Sequence, residues 1–358
     1  MRLADQRPTK AAPSFNPLAV SETALPPNML LAAKLIVVAF FLRGQWNELP
    51  EPFLPFVPFL DDLGSPQTFR RTLQAVFLVA AVPLLTNRLV RTACIVLALV
   101  IFIALLSSHQ YFENNRTLTA CVLLLIGLYD RESRWPLVSY QLAVVYFGAA
   151  LNKMLDSDWR SGQFVQHWIS NVLNYEFYER LSAAFPGMML SSLLGWTAIG
   201  WEYLLALGFV VRRLLPAAIT GGVLYHTALL LITGRTYGMF YFTLLSAYLA
   251  CVEWPRSPVE VRYPNAGAIR RGVWRVLRVA DFDRLFHWSS AGVDVTSVTP
   301  HSPRAALEVT TNGETRRGAA AYRKLLAYTP LVYLVLLLAV HSLRRFAALY
   351  RAALRSFT

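Results

Sequence analysis

Apolar residues along this chain fall in long, nearly unbroken blocks rather than in the alternating or one-faced patterns of a soluble fold. Blocks at about residues 27–43, 70–86, 91–109, 117–130, 136–154, 188–211, 214–233 and 236–254 approach the roughly 20 mostly apolar residues that cross about 30 Å of hydrocarbon. They predict an all-α polytopic membrane bundle of about eight transmembrane helices. The fourth block is short, which implies a tilted or shallow helix, or one extended at its ends. Between the fifth and sixth blocks, residues 158–185 are too polar to cross. Their aromatics (Trp159, Phe164, Trp168, Tyr175, Phe177 and Tyr178) suit either an amphipathic segment at headgroup level or an external loop packed on the bundle.

After Trp254-Pro255 the pattern changes. Residues 259–263 alternate like a strand, 269–279 have helical spacing, and 284–288, 307–311 and 314–317 read as further short strands. Asn312-Gly313 marks a hairpin between the last two. Residues 319–326 are again helical. The order β-α-β-β-β-α predicts a small α/β domain. Residues 328–341 are apolar for only about 14 positions, which fits a docked helix better than a ninth span. The chain thus divides into a polar segment over 1–24, a membrane domain over 25–256, and an α/β domain with a C-terminal helix over 257–358.

Charge sharpens this division. Only 15% of the 358 residues are charged, against about a quarter in soluble domains. From Pro255 onward there are sixteen Lys/Arg and six Asp/Glu, a net of +10 out of the chain's +13. Such a tail belongs on the cytoplasmic side, where anionic lipids attract it. Arg88 and Arg91, Arg131 and Arg134, and Arg212 and Arg213 fall on one side together with both termini. The opposite side carries a longer acidic loop with Glu48, Glu51, Asp61 and Asp62, although Arg70, Arg71, Arg160 and Arg180 also lie there. The balance predicts a cell (inner) membrane protein with both termini cytoplasmic. No basic stripe with interleaved aromatics marks a nucleic-acid module. Cys94, Cys121 and Cys251 form no CxxC, so neither a disulfide framework nor a metal site is expected. The first 28 residues lack the apolar core of a signal peptide.

Ionisable groups inside apolar spans are costly and mark candidate sites. Asn152-Lys153 closes the fifth block and precedes Asp156-Ser-Asp158-Trp159. A lysine partly withdrawn from water can act as a base, or it can snorkel to the interface and pair with Asp156 or Asp158. His226 in the seventh block suits a proton relay or a helix-to-helix hydrogen bond. Glu202 in the sixth block and Lys34 in the first either line a polar cavity or pair with neighbours. Asn114, Asn115 and Arg116 fall on the same predicted membrane face as Lys153 and the Asp158-Trp159 loop.

Tyr146-Phe-Gly-Ala-Ala-Leu-Asn-Lys153, the following Asp-Ser-Asp-Trp159, Gly162, His226, Gly238-Met-Phe240 and Glu253-Trp-Pro-Arg256 together resemble the HTTM family, the transmembrane domain shared with vitamin K-dependent gamma-carboxylase. The resemblance spans roughly residues 22–256. That enzyme couples oxygenation of vitamin K hydroquinone to removal of a glutamate γ-proton and addition of CO2. The resemblance implies a reduced quinone as cosubstrate, Lys153 as the base that activates it, and His226 as a second catalytic position. It places Asn114, Asn115, Arg116, Asn152, Asp158 and Trp159 about the substrate or quinone, and Glu202, singled out above by its membrane depth, is taken as a further candidate there. Two features depart from the family: Arg116 stands where the carboxylase has a histidine, and His226 lies two residues further from Gly-Met-Phe. A segment like the carboxylase's large lumenal domain is also missing here, so capture of a peptide is not expected.

The tail over about 258–350 is similar to the DCC/DUF393 domain, a thioredoxin-like fold often joined to HTTM segments. Its redox motif is occupied by Tyr263-Pro-Asn-Ala-Gly-Ala-Ile-Arg without cysteine, which removes the thiolate that exchange requires. Two readings follow. One is a quinone- or lipid-binding membrane protein performing hydroquinone-linked oxygenation or carboxylation. The other is a non-catalytic scaffold that binds lipid or a protein partner, with a redox-inactive cytoplasmic docking domain.

Overall fold

The structure is a computed structural model that describes residues 18, 20, 23–129, 137–233, 239–252, 259–264, 281, 286–291, 307–311 and 313–327. The N-terminal segment before Leu18, the helix expected over 269–279 and the apolar stretch 328–341 lie outside the described residues.

Each predicted apolar block forms a helix. These are α1 (Pro27–Leu42), α2 (Pro66–Leu85), α3 (Val90–Ser107), α4 (Asn114–Gly127), α5 (Leu137–Leu155), α9 (Met189–Val210), α10 (Leu215–Thr233) and α11 (Phe240–Cys251). Three of them, α2, α3 and α9, are long and apolar enough to cross a membrane. The 16 residues of α1 and 12 of α11 extend only about 24 and 18 Å at 1.5 Å per residue.

Local chemistry sets several helix ends. Ser65 caps α2, its Oγ accepting from the Thr68 amide at 3.2 Å, and Pro66 fills the first helical position, where a missing N–H costs nothing. Pro83 removes a backbone donor near the other end of α2, and the helix stops at Leu85. Asn28, one residue into α1, donates its amide to the carbonyls of Leu249, Ala250 and Val252 at 3.3, 2.9 and 2.9 Å. It thereby satisfies the loose C-terminus of α11 and closes α1 onto it.

The bundle packs α3 against α4, α5 against α9, and α1 against α11. Small residues allow the closest approaches, as expected where lipid offers no hydrophobic drive between helices. A Cβ on Gly127 of α4 would lie 2.7 Å from the Ile95 side chain of α3, and one on Gly208 of α9 would lie 2.7 Å from Ala218 of α10. Phe40 stacks on Phe77 at 4.9 Å, and Tyr146, Phe209 and Tyr248 stack in succession.

The polar stretch between α5 and α9 folds as three short helices and one π-helical turn. They are α6 (Ser157–Ser161), α7 (Gln163–His167), the turn Trp168–Val172, and α8 (Glu176–Ser182). Val165, Ile169, Tyr178 and Leu190 form a small core of their own under Trp159, Trp168, Tyr175 and Phe185. Gly162, with φ +85°, turns the chain between α6 and α7 against the backbone of Ser191 and Ser192, a conformation that favours glycine.

The tail contains a four-stranded sheet of β1 (Val259–Pro264), β2 (Phe286–Ala291), β3 (Glu308–Thr311) and β4 (Glu314–Arg317), followed by α12 (Ala319–Ala327). The strand order is β2-β1-β3-β4, with β1 parallel to β2 and β3 antiparallel to both β1 and β4. Gly313, at φ +80°, sits in the tight turn between β3 and β4, as the Asn312-Gly313 signal implies. The second strand is described from Phe286, and its pairing with β1 runs from Val259↔Phe286 to Pro264↔Ala291, three residues beyond the expected end at 288. Val259, Val261, Phe286, Val309, Ala321 and Leu325 form the domain's core.

Candidate functional site

α5 carries Lys153 in its last turn, where the helix meets the polar segment. Its ammonium donates to both carboxylate oxygens of Glu202 on α9, at 2.9 Å to Oε1 and 2.7 Å to Oε2. The two side chains are only 18% and 8% exposed, so the charges meet largely out of water. Pairing is what makes such burial tolerable, since either charge alone would carry its full desolvation cost. The Trp159 ring lies 5.0 Å from the ammonium on another side, in the range of a cation–π contact. A hydrogen bond from Tyr225 on α10 also reaches Glu202. Neither Asp156 nor Asp158 holds Lys153. The Asp156 carboxylate instead accepts from the Asp158 amide at 2.8 Å and caps α6, and Asp158 and Asn152 are exposed. The lysine reaches inward because α5 packs along α9 and brings Glu202 within range, whereas α6 turns Asp158 outward.

Trp159 is held by backbone fit. A Cβ on Gly195 of α9 would lie 2.5 Å from the Trp159 carbonyl, and Ser192 Oγ donates to the Arg160 carbonyl at 3.1 Å. The segment after α5 is thereby pressed onto the start of α9, with Trp159 stacked on Phe164 at 4.4 Å.

A second polar cluster lies inside the bundle. Tyr146, two turns before Lys153 on the same face of α5, shares a hydrogen bond of 2.8 Å with His226 Nε2 and another with the Tyr248 hydroxyl. All three are buried. Gly222 leaves room for Tyr248, since a Cβ there would come within 2.6 Å of its hydroxyl. His226 therefore has a helix-to-helix hydrogen bond, one of its two expected roles. Tyr225, its neighbour in sequence, joins the Lys153–Glu202 pair, so adjacent residues of α10 serve the two clusters.

Asn114, Asn115 and Arg116 open α4. By connectivity, this is the end of the bundle at which α5 finishes, but among the described residues no hydrogen bond or ion pair joins them to Lys153. Arg116 is buried and engaged elsewhere. It donates to Gln45 Oε1 at 3.0 Å, to the Tyr111 carbonyl at 2.8 Å and to Glu48 Oε2 at 3.2 Å, and its guanidinium lies 3.9 Å over the Tyr111 ring. These contacts tie the loop after α1 to the start of α4. Burial pushes the Tyr111 phenol well above its ordinary pKa, with the Arg116 charge acting in the opposite sense, so it stays protonated at neutral pH. Asn115 donates to Glu113 at 2.8 Å, while its buried side-chain oxygen has no hydrogen-bond partner among the described residues. Asn114 is exposed. Lys34 is buried in α1 and donates to the Leu85 carbonyl at the end of α2, at 3.1 Å.

The structure thus joins two sequence candidates, Lys153 and Glu202, beneath a third, Trp159, and sets His226 in a neighbouring cluster. Tyr146, Tyr225 and Tyr248 are additions that charge alone did not mark. Their signals were the seven-residue spacing from Tyr146 to Lys153 and the adjacency of Tyr225 to His226. Among the described residues no three His, Cys, Asp or Glu side chains gather as they would around a metal ion. No family model, curated protein or solved structure matches the chain.

Proposed function

We propose that this chain is a multi-pass membrane protein of HTTM type that receives the polar head of a lipid-soluble quinone at the Lys153–Glu202 pair and takes a proton from its reduced form. The observation that carries the reading is the pair itself: a lysine chelated by both oxygens of a buried carboxylate, with an aromatic ring beside it. A bound hydroquinone would supply the acidic hydroxyl and the reducing equivalents for its own oxygenation by O2, the step to which carboxylation would be coupled. The chain's own part is to bind, orient and move protons. Lys153 can pass a proton to Glu202 across the 2.7 Å contact, which leaves an amine able to accept a proton from the ligand hydroxyl. Both charges vanish in that hop, a change that a low-dielectric site favours over separated ions. Tyr225 holds Glu202 in place, and Trp159 offers a ring face for stacking. The Tyr146–His226–Tyr248 cluster, two turns back along the same face of α5, keeps α5, α10 and α11 in register beside the pair.

The wider architecture belongs to the same proposal. Eight helices matching eight apolar blocks support eight crossings, and the basic tail supports cytoplasmic termini in the cell inner membrane. The strand order β2-β1-β3-β4, with β3 running against the rest, agrees with a thioredoxin-like tail that lacks redox cysteines.

A second reading has its own support. The ion pair links α5 to α9, and Arg116 is satisfied within the protein, so both could serve only to hold a scaffold that binds lipid or a protein partner. Photolabelling with a quinone analogue in vesicles separates the two. The proposal expects adducts on peptides containing Lys153, Trp159 or Tyr225, competed by reduced vitamin K. Labelling scattered over lipid-facing positions without competition would favour the scaffold.

A further inference from the structure

At the opposite end of the bundle a cleft of about 310 Å3 opens where α2 stops and α3 begins, lined by Thr23, Asn87, Arg91 and Thr92. A hollow of about 270 Å3 lies between α2 and α3, with a wall formed by Val76, Val79, Pro83 and Val96. Leu89 and Thr92 line both, so a polar cleft continues into an apolar groove. Leu89 and Val79 are 74% and 73% exposed on a surface that, in a membrane, faces lipid.

Among the described residues that line the cleft, the one charged side chain is Arg91. No Asp or Glu occurs between Asp62 and Glu113, the stretch that supplies most of the lining, Arg91 included. Arg91 Nε donates to the Gly127 carbonyl at 3.1 Å, which fixes the guanidinium and leaves its two terminal nitrogens without a protein partner among the described residues. The Lys34 ammonium lies at the Leu85 carbonyl, two residues before Asn87. A cationic cleft joined to an apolar groove at the end of a membrane helix has the polarity of one amphiphile, an acidic phosphate bearing an acyl chain. Inorganic phosphate would leave the groove unfilled, and a neutral lipid would bring no negative charge to the Arg91 guanidinium.

We propose that this cleft and groove hold one anionic phospholipid, its phosphate at Arg91 and Thr92 and one acyl chain along Val76, Val79 and Val96. The test uses the full chain in phosphatidylcholine vesicles carrying a minor fraction of phosphatidylglycerol. The protein is re-extracted in mild detergent, and retained lipid is measured by mass spectrometry. The expected result is enrichment of phosphatidylglycerol over the vesicle composition by about fivefold or more, the worth of about one basic side chain at a membrane surface. Arg91→Gln should remove most of that enrichment and Arg91→Lys should preserve it. Val79→Trp, which fills the groove from an exposed position, should lower retention without altering charge. Retained lipid that mirrors the vesicle composition would overturn the proposal, as would unchanged retention in Val79→Trp, a variant that does not disturb the Arg91 contact with α4. Displacement of the lipid by inorganic phosphate alone would make the site one for a free anion, and would overturn it too.

Discussion

At Lys153 the ammonium sits 2.7 and 2.9 Å from the two Glu202 oxygens, and only a small part of either side chain meets solvent. Removing one member of such a pair leaves the other buried and uncompensated, which costs about 3–5 kcal/mol, whereas replacing both by apolar groups is often close to neutral. Lys153→Met or Glu202→Leu alone should therefore lower the thermal midpoint in detergent markedly, and the double variant should recover most of the loss. Additive losses in the double variant would mean that the two charges do not stabilise each other. Both residues stood out in the sequence as charges within apolar blocks. Their partnership did not, because 49 positions separate them and only the packing of α5 on α9 brings them together. The nearer Asp156 and Asp158 were the natural partners on spacing, but the cap of α6 engages one and turns the other outward.

At the scale of elements, hydropathy located all eight helices to within a few residues because long apolar blocks have few alternative structures in lipid. It could not give the way their ends are tied. Asn28 closes α1 on α11 through three carbonyls more than 220 positions away, and no local signal marks it. Asn28→Ala should leave those carbonyls without their donor and cost about 1–3 kcal/mol. Hydrogen exchange should then rise selectively at the end of α11, and unaltered protection there would remove the clasp from the account. In the tail, the alternating strands and the Asn312-Gly313 turn were legible, since both are local. The sheet order was not, because β1 and β2 pair in parallel across more than twenty positions of sequence, and no local signal marks such a partner.

At the scale of the whole molecule, eight crossings are proposed, and among the described residues three helices meet the length and apolarity of a membrane crossing. α1, α4 and α11, with 16, 14 and 12 residues, fall short by residue count, a mismatch that local thinning of the bilayer would accommodate. In a variant with Cys94, Cys121 and Cys251 replaced, a cysteine at Glu51 should react with an impermeant maleimide on intact cells. One at Arg316 should react only after the membrane is opened. Equal labelling of both before opening would refute an external loop opposed to a cytoplasmic tail.

The claim on which the functional account turns is that Lys153, paired with Glu202, receives a proton from a reduced quinone. Purified protein in vesicles, given reduced vitamin K, oxygen and labelled CO2, tests it through formation of the quinone epoxide. The expected result is epoxide formation by the native chain, with a loss of at least about a hundredfold, the low end of what a positioned acid–base group contributes, in Lys153→Ala and in the stable Lys153→Met/Glu202→Leu double variant. Epoxide formed at the native rate by Lys153→Ala would contradict the account.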